Sequence, residues 1–205
     1  MTRLTLIVAA TVQNGIGQSG RLPWRLPQEM AYFARVTTNA PEGRENAVIM
    51  GRNTWESIPA KFKPLQKRLN VVVSRNNSYD LATTSTHAHL SLDLPASLEK
   101  ISQADSALHR IFVIGGASLY TESLLLPTSD PAFVDRILLT RILSPAFEDC
   151  DVFMPDFLRG NLGREVVMAW KRASHNELQE WVGFEVPEGV QEEKGIKYEF
   201  QMWTR

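Results

Sequence analysis

Apolar residues along the chain fall into short continuous runs, separated by stretches with helical spacing. The continuous runs cover residues 4–10, 47–50, 69–74, 110–114 and 134–143. Such runs predict strands buried on both faces, as in a mainly parallel sheet covered by helices. Residues 197–202 instead alternate polar and apolar, which predicts an antiparallel strand. The whole pattern predicts an α/β fold: a single domain over residues 1–205 with a mixed, mostly parallel central sheet flanked by helices and an antiparallel C-terminal strand.

The less regular parts of the pattern predict connections. Residues 14–20 contain three glycines, which predicts a mobile loop after the first strand rather than a regular element. Residues 76–109 and 121–133 show the weakest periodicity. We expect surface loops or short helices in both segments.

Glu29 stands out in the first predicted helix, over residues 27–38. It shares one helical face with the apolar residues Tyr32, Phe33 and Val36, so a carboxylate heads the apolar stripe. Burial of a carboxylate is costly and raises its pKa, which is a property of catalytic acids. The alternative is an exposed first-turn glutamate that interacts with the helix dipole.

Two strand-to-helix junctions carry glycine, at Gly51 and at Gly115-Gly116. Glycine lets the backbone approach a phosphate, and the N–H groups of the following helix point toward it. Neither junction has the three-glycine dinucleotide fingerprint, so structural turns remain the alternative. Ser74 and Arg75 end another predicted strand, where they could bind a phosphate monoester or simply be solvated.

Charge and cysteine content exclude several classes of protein. The 205 residues include 22 Lys and Arg against 23 Asp and Glu, which gives a net charge of −1 and no electrostatic case for nucleic acid. Cys150 is the only cysteine, so neither an internal disulfide nor a thiolate metal site is possible. The four histidines lack metal-ligand spacing, and we expect no metal.

Hydropathy and cysteine content also bear on location. No apolar run reaches the roughly 18 residues that a membrane-spanning helix needs. Residues 4–12 fit a buried strand better than a signal peptide, because no small-residue cleavage site follows them. A lone cysteine suits a reducing compartment, and we expect a cytoplasmic protein.

Several motifs occur in the order in which one enzyme family carries them. They are Leu22-Pro23-Trp24, Glu29-Met30-Ala31-Tyr32-Phe33, Gly51-Arg52-Asn53-Thr54-Trp55, Val73-Ser74-Arg75 and Ile114-Gly115-Gly116. From residue 4 to the end, the sequence resembles the dihydrofolate reductase family in its longer eukaryotic form, as in fungi. The resemblance implies reduction of 7,8-dihydrofolate to tetrahydrofolate by NADPH, which supplies one-carbon metabolism and thymidylate and purine synthesis.

The resemblance also implies roles at the substrate. Glu29 is similar to the family's single active-site acid, Thr140 to the threonine that hydrogen-bonds it, and Trp24 to the tryptophan beside a water that assists protonation of the pterin N5 atom. Arg68 is similar to the arginine that binds the α-carboxylate of the folate glutamate. The implied substrate site comprises Ile7, Val8, Met30, Phe33, Ile58, Leu65, Arg68, Ile114 and Tyr120.

The cofactor implied by the resemblance is NADPH. The Gly115-Gly116 pair matches two residues that the family joins by a cis peptide bond. Dihydrofolate and antifolate inhibitors are the implied partners of a chain expected to be a monomer. The implied cofactor site comprises Ala9, Ile16, Gly51, Arg52, Asn53, Thr54, Ser74, Arg75, Gly116, Ala117, Ser118, Leu119 and Tyr120.

Three positions depart from the family pattern. Vertebrate members often carry a second arginine for the cofactor 2′-phosphate near the fourth strand, where this chain has His87 and His89, and either could take that contact. Met30 stands where an aromatic residue is common, which should loosen the inhibitor pocket. Phe62 occupies a position near the folate tail that is often polar.

Two other functions compete with this interpretation. One is another pterin or pyrimidine reductase of the same fold, such as a riboflavin-pathway reductase; Glu29, Phe33 and Arg68 argue against it because they match pterin and glutamate recognition. The other is a protein that binds folate or NADPH without turnover, against which the intact Glu29 and both glycine junctions argue. Because the sequence ends at Arg205, we expect no thymidylate synthase segment after it.

Overall fold

The computed structural model describes residues 3–103, 108–159 and 169–205. Two short 3-10 helices, Ala60–Phe62 and Phe157–Arg159, accompany the regular elements. The α-helices are α1 (Pro27–Thr38), α2 (Arg52–Ser57), α3 (Leu94–Gln103), α4 (Ala117–Leu124) and α5 (His175–Val182). The strands are β1 (Leu4–Thr11), β2 (Gly15–Gly17), β3 (Glu45–Gly51), β4 (Arg68–Val73), β5 (Ala88–Ser91), β6 (Leu108–Val113), β7 (Val134–Ser144), β8 (Val152–Phe153), β9 (Lys171–Arg172), β10 (Gln191–Glu193) and β11 (Ile196–Thr204).

One large mixed sheet organises the described residues. Its strands run in the order β10-β11-β7-β1-β6-β3-β4-β5, and β9 also pairs with β11. Six neighbouring strands of this order are parallel to one another, namely β7, β1, β6, β3, β4 and β5. Strand β11 runs antiparallel to β7. This arrangement confirms the predicted fold class, including the antiparallel C-terminal strand.

Helices cover both faces of the sheet and create two apolar layers. Alternate residues of β1 separate into them: Leu6 lies in the layer covered by α3 and α4, and Ile7 in the layer covered by α1 and α5. Asn46 ties the end of α1 to the sheet, because its side-chain amide donates to the carbonyl oxygens of Thr37 and Asn39. The position of α1 over the sheet is thereby fixed at its C-terminal end.

The structure departs from the expected connections at two places. Gly15–Gly17, expected within a mobile loop, forms strand β2 and pairs with β8. In the segment expected to hold loops or short helices, Ala88–Ser91 forms a strand that pairs with β4, while Leu94–Gln103 is helical as expected. Both unpredicted strands are short and half exposed, so their hydropathy signal is weak. Residues 104–107 of the same segment lie outside the described residues.

No helix in the described ranges is long and apolar enough to cross a membrane.

Candidate active site

The carboxyl group of Glu29 lies buried at the start of α1. Leu26 precedes the helix in an extended conformation, Pro27 begins it, and Glu29 occupies its first turn with only 6% of its surface exposed. The hydroxyl of Thr140 on β7 donates to Glu29 Oε1 at 3.1 Å. Thr140 is the register partner of Ala9 on β1, so the central strands place the donor. The sequence prediction that Glu29 heads a buried stripe is confirmed.

Burial changes the acidity of this group. Desolvation raises the pKa of Glu29 from 4.5 to about 7, the Thr140 hydrogen bond opposes the rise, and the charge of Glu193 adds to it. A carboxyl group with such a pKa carries a proton for about half of the time at neutral pH. Glu29 can therefore both donate and accept a proton near pH 7, as general acid–base catalysis requires.

Aromatic and aliphatic side chains predicted for the site lie in or against the apolar layer that contains Tyr32 of α1. Trp24 is buried, and its indole Nε1 has no hydrogen-bond acceptor among the described residues. Tyr120 on α4 donates its hydroxyl proton to the carbonyl oxygen of Ile7 at 2.9 Å. The half-buried side chains packed against the apolar layer that contains Ile7 and Trp24 include Ala9, Phe33, Ile58, Leu65 and Ile114.

Two residues of the predicted substrate site, Val8 and Met30, do not place their side chains in this apolar layer. Val8 is buried in the opposite apolar layer, because successive residues of a strand point to opposite faces, so its side chain does not join that of Ile7. Met30 is 48% exposed, next to the buried Glu29 on the same helix. Phe62, a departure from the family pattern, is also exposed, on the short 3-10 helix.

Arg68 is a buried cation at the opposite end of α1 from Glu29. Its guanidinium donates to the Thr37 hydroxyl at 2.6 Å and to the carbonyl oxygen of Gln66 at 3.0 Å. Burial lowers its pKa to about 10. None of the ion pairs formed within the described ranges involves Arg68, so this cation has only neutral acceptors there. A buried cation with neutral acceptors is a natural binding site for an anionic group.

The two glycine junctions meet at adjacent strand ends. The backbone N–H of Gly51 donates to the carbonyl oxygen of Gly115 at 2.7 Å, and the Gly115-Gly116 peptide bond is cis. Gly115 has φ +120°, where side chains are disfavoured, and a Cβ there would lie 3.3 Å from Thr54 Oγ1. Gly51 and Gly116 precede α2 and α4 without any side-chain cap, so first-turn N–H groups at both junctions remain available to a ligand.

The remaining residues of the predicted cofactor site lie around these junctions. Arg52, Asn53 and Ser118 are exposed in the first turns of α2 and α4, and Arg52 pairs with Glu56 at 3.6 Å. Ala117 is half buried, and Leu119 is buried beneath them. Ile16 lies on β2, half buried against the apolar layer that contains Leu119.

Ser74 and Arg75 lie at the carboxyl end of β4. The N–H of Ser74 donates to the carbonyl oxygen of Ser91 at 2.9 Å, and Arg75 is exposed directly after it. The ends of β4 and β5 therefore form one edge, beside the helix junctions. An exposed arginine at this edge can reach a phosphate group.

Both histidines lie before that edge in the sheet register. His87 precedes β5, and its Nδ1 atom lies 3.7 Å from Oε2 of Glu45. Glu45 begins β3, so His87 lies at the opposite edge of the sheet. His89 pairs with Val71, two residues before β5 ends at Ser91. The sequence left a histidine contact with a 2′-phosphate open, and the parallel register sets both residues before the strand end that precedes Arg75. The residue that directly follows the carboxyl end of β5 is Leu92, whose side chain is exposed.

Contacts that the sequence did not predict fix the loop between β1 and α1. The guanidinium of Arg141 donates to the Asn14 side chain at 3.0 Å and to the carbonyl oxygen of Thr11. The N–H of Ser19 donates to Asp151 Oδ2 at 2.8 Å. These partners are more than 125 residues apart in the sequence, so no local pattern could have indicated them.

Comparisons with known proteins show the family of the chain. A model of the family described as "Dihydrofolate reductase" matches residues 3–205. The chain belongs to the dihydrofolate reductase family. It is 48% identical to the dihydrofolate reductase of Cryptococcus neoformans, over 98% of this chain and 94% of that protein, and 44% identical to that of Pneumocystis carinii, over 98% and 96%. The resemblance to the family and to its fungal members is confirmed.

A solved structure shows the same architecture. The dihydrofolate reductase of Schistosoma mansoni superimposes with a TM-score of 0.76 at 32% sequence identity, over 99% of this chain and 98% of that one. The family fold therefore extends across the chain, and the site described above lies within it.

The burial of Glu29 predicts a pH-dependent loss of stability. Folding raises the pKa of Glu29 from 4.5 to about 7. The contribution of its proton to the free energy of unfolding is therefore complete below pH 4.5 and is lost as the pH rises through 7. We expect Glu29→Gln to match the wild type at about pH 4 and to exceed it by up to about 3 kcal/mol at about pH 8. Urea unfolding at both pH values measures this difference.

Glu192→Gln is the matched control, because it removes an exposed glutamate. We expect its stability difference from the wild type to stay nearly constant between the two pH values. A constant difference for Glu29→Gln as well would show that the Glu29 carboxyl is solvated.

Proposed function

We propose that the protein reduces 7,8-dihydrofolate to 5,6,7,8-tetrahydrofolate with NADPH. The observation that carries this proposal is the buried Glu29 carboxyl, held by Thr140 and with a pKa of about 7. Membership of the dihydrofolate reductase family supports the same reaction. By the same resemblance, we propose a monomer that acts in the cytoplasm without nucleic acid and supplies tetrahydrofolate for one-carbon metabolism and for thymidylate and purine synthesis.

Glu29 would bind the pterin ring and control a proton. Its carboxylate can accept two parallel hydrogen bonds from the ring N–H and the exocyclic amino group, as in other bidentate carboxylate pairs. The Thr140 donor fixes the rotation of the carboxyl. The unpartnered Nε1 of Trp24 offers a donor to a water molecule, through which a proton can reach N5.

The glycine junctions and the β4 end fit NADPH. Gly51, Gly115 and Gly116 leave room for close backbone approach, Thr54 lies beside them, and Arg75 supplies an exposed positive charge for the 2′-phosphate. We propose that the other residues predicted for the cofactor contact NADPH around these glycines and Arg75. When bound, NADPH supplies the hydride for the reduction.

Arg68 and Glu29 fit the two ends of an elongated substrate. Glu29 and Thr37, the partner of Arg68, lie eight residues apart on α1, which corresponds to about 12 Å along a helix at 1.5 Å per residue. One end of such a ligand would carry pterin donors, and the other an anionic group. We propose that Arg68 binds the α-carboxylate of the folate glutamate, with the half-buried Leu65 beside it.

We expect Glu29→Gln to fold and to bind NADPH nearly unchanged, and to lose about 10²–10⁴-fold in turnover, the usual contribution of general acid–base assistance. The decrease in NADPH absorbance after addition of dihydrofolate measures turnover, and fluorescence titration measures NADPH binding. If the variant kept near wild-type turnover at neutral pH, Glu29 would be only a residue of the helix start.

The same assay separates the proposal from its alternatives. Wild-type protein that oxidises NADPH with a riboflavin-pathway intermediate but not with dihydrofolate would be a related reductase. Protein that binds folate or NADPH without oxidation would be a binding protein. Either result would overturn the proposed reaction.

Arg68→Ala tests the proposed glutamate contact. Loss of one member of a buried charge pair typically costs about 2–5 kcal/mol, so a glutamate-bearing antifolate should bind about tenfold to a few thousandfold more weakly. A diaminopyrimidine inhibitor that lacks the glutamate should lose almost nothing. Arg68→Lys should recover only part of the loss, because an ammonium group cannot form the bidentate contact.

Lys61→Ala, which removes an exposed positive charge, is the matched control and should affect neither inhibitor. The two dissociation constants are compared on each variant by titration. Parallel weakening of both inhibitors in Arg68→Ala would assign Arg68 to the support of α1 through Thr37 instead.

A further inference from the structure

Helix α1 begins without a capping side chain of its own. Its N-cap residue, Leu26, has no side-chain oxygen, and the proline nitrogen of Pro27 carries no hydrogen. Gln28 is thus the first residue of the helix whose N–H needs an acceptor. It donates to Oε2 of Glu193, on β10, at 3.1 Å. A carboxylate 165 residues away in the sequence therefore caps the helix that carries Glu29.

The β10–β11 hairpin fixes the place of Glu193. Glu193 pairs with Ile196 across a two-residue turn, Lys194-Gly195, in which both residues have positive φ. Turns of this kind match the twist of antiparallel strands and set their register. The neighbouring Glu192 pairs with Lys197 and is exposed, whereas Glu193 is half buried against the start of α1.

Glu193 also contributes a charge to the surroundings of Glu29. Its negative charge acts to raise the pKa of Glu29, in addition to the effect of burial. Among the described residues, the other groups that interact with Glu29 are hydroxyls. One of them donates the hydrogen bond described above, and burial raises the pKa values of the others, so that they are neutral. These hydroxyls belong to Thr140 on β7, Tyr32 on α1, Tyr120 on α4 and Tyr198 on β11.

We propose that Glu193 is a positioning residue of the active site: its carboxylate caps the first turn of α1 and places a second negative charge beside the Glu29 carboxyl. The positive end of the helix dipole would otherwise favour ionised Glu29. Glu193 offsets that end of the dipole and so favours a protonated Glu29. The inference rests on the proposed function, since it concerns Glu29 as the acid of that reaction.

Two substitutions separate the charge of Glu193 from its hydrogen bond. Glu193→Gln keeps an oxygen acceptor for the Gln28 N–H but removes the charge, whereas Glu193→Ala removes both. Glu192→Gln is the matched control, because it makes the same change of net charge at an exposed residue of the same strand. Each protein is assayed for dihydrofolate reduction across the pH range at constant ionic strength.

The rate should fall with rising pH as Glu29 loses its proton. In Glu193→Gln we expect this fall to move to lower pH by about 0.5–1 unit, the size of effect that one nearby charge produces in a partly solvated site. At a pH well above the wild-type midpoint, this shift lowers the rate about threefold to tenfold. The rate at low pH should stay near the wild-type value in Glu193→Gln and fall severalfold in Glu193→Ala.

A second readout does not depend on turnover. Carbon NMR of the Glu29 carboxyl in the ligand-free protein should show the same downward shift of its pKa in Glu193→Gln. The Gln28 amide should exchange with solvent faster in Glu193→Ala than in Glu193→Gln.

The outcomes separate the two proposals. If Glu193→Gln coincided with Glu192→Gln in both the rate profile and the carbon titration, the positioning role would be overturned while the proposed reaction stood. If the wild type did not reduce dihydrofolate, the proposed reaction would fail, and the carbon titration would still decide the influence of Glu193 on Glu29.

Discussion

The arrangement of the site depends on one constraint: a carboxyl group must remain buried at the first turn of α1. An isolated buried carboxylate is costly, so the fold has to supply a hydrogen-bond donor and permit a bound proton. Thr140 supplies the donor from β7, and the raised pKa of Glu29 permits the proton near neutral pH. The stability lost by burying Glu29 and its ability to exchange a proton have the same physical cause.

The sheet and α1 connect this local constraint to the other residues of the site. The parallel register of β1 and β7 sets Thr140 under the helix start, and the Asn46 amide holds the helix end. The length of α1 then separates Glu29 from the buried guanidinium of Arg68. On the other side, the hydrogen bond between Gly51 and Gly115 joins two strand ends and their helices. Carboxyl ends of parallel strands are the usual ligand-binding edge of such sheets.

Features encoded by local patterns could be predicted from the sequence, and those set by distant contacts could not. The continuous apolar strands and the buried place of Glu29 follow from periodicity. Helix α5 also carried a local signal that the prediction missed: Ser174 and Glu177 form a reciprocal capping box, and Gly183 ends the helix. No local pattern links Glu193 to α1, because the contact joins residues at opposite ends of the chain.

The protonation of Glu29 in the ligand-free protein tests this account most directly. Carbon NMR of a sample with labelled glutamate side chains, with the Glu29 signal assigned by its loss in Glu29→Gln, would follow the carboxyl through a pH titration. The structure predicts a midpoint near 7, well above the ordinary value of 4.5. A midpoint near 4.5 would contradict it, since Glu29 would then be a solvated carboxylate and neither its burial nor its role as a proton carrier could stand.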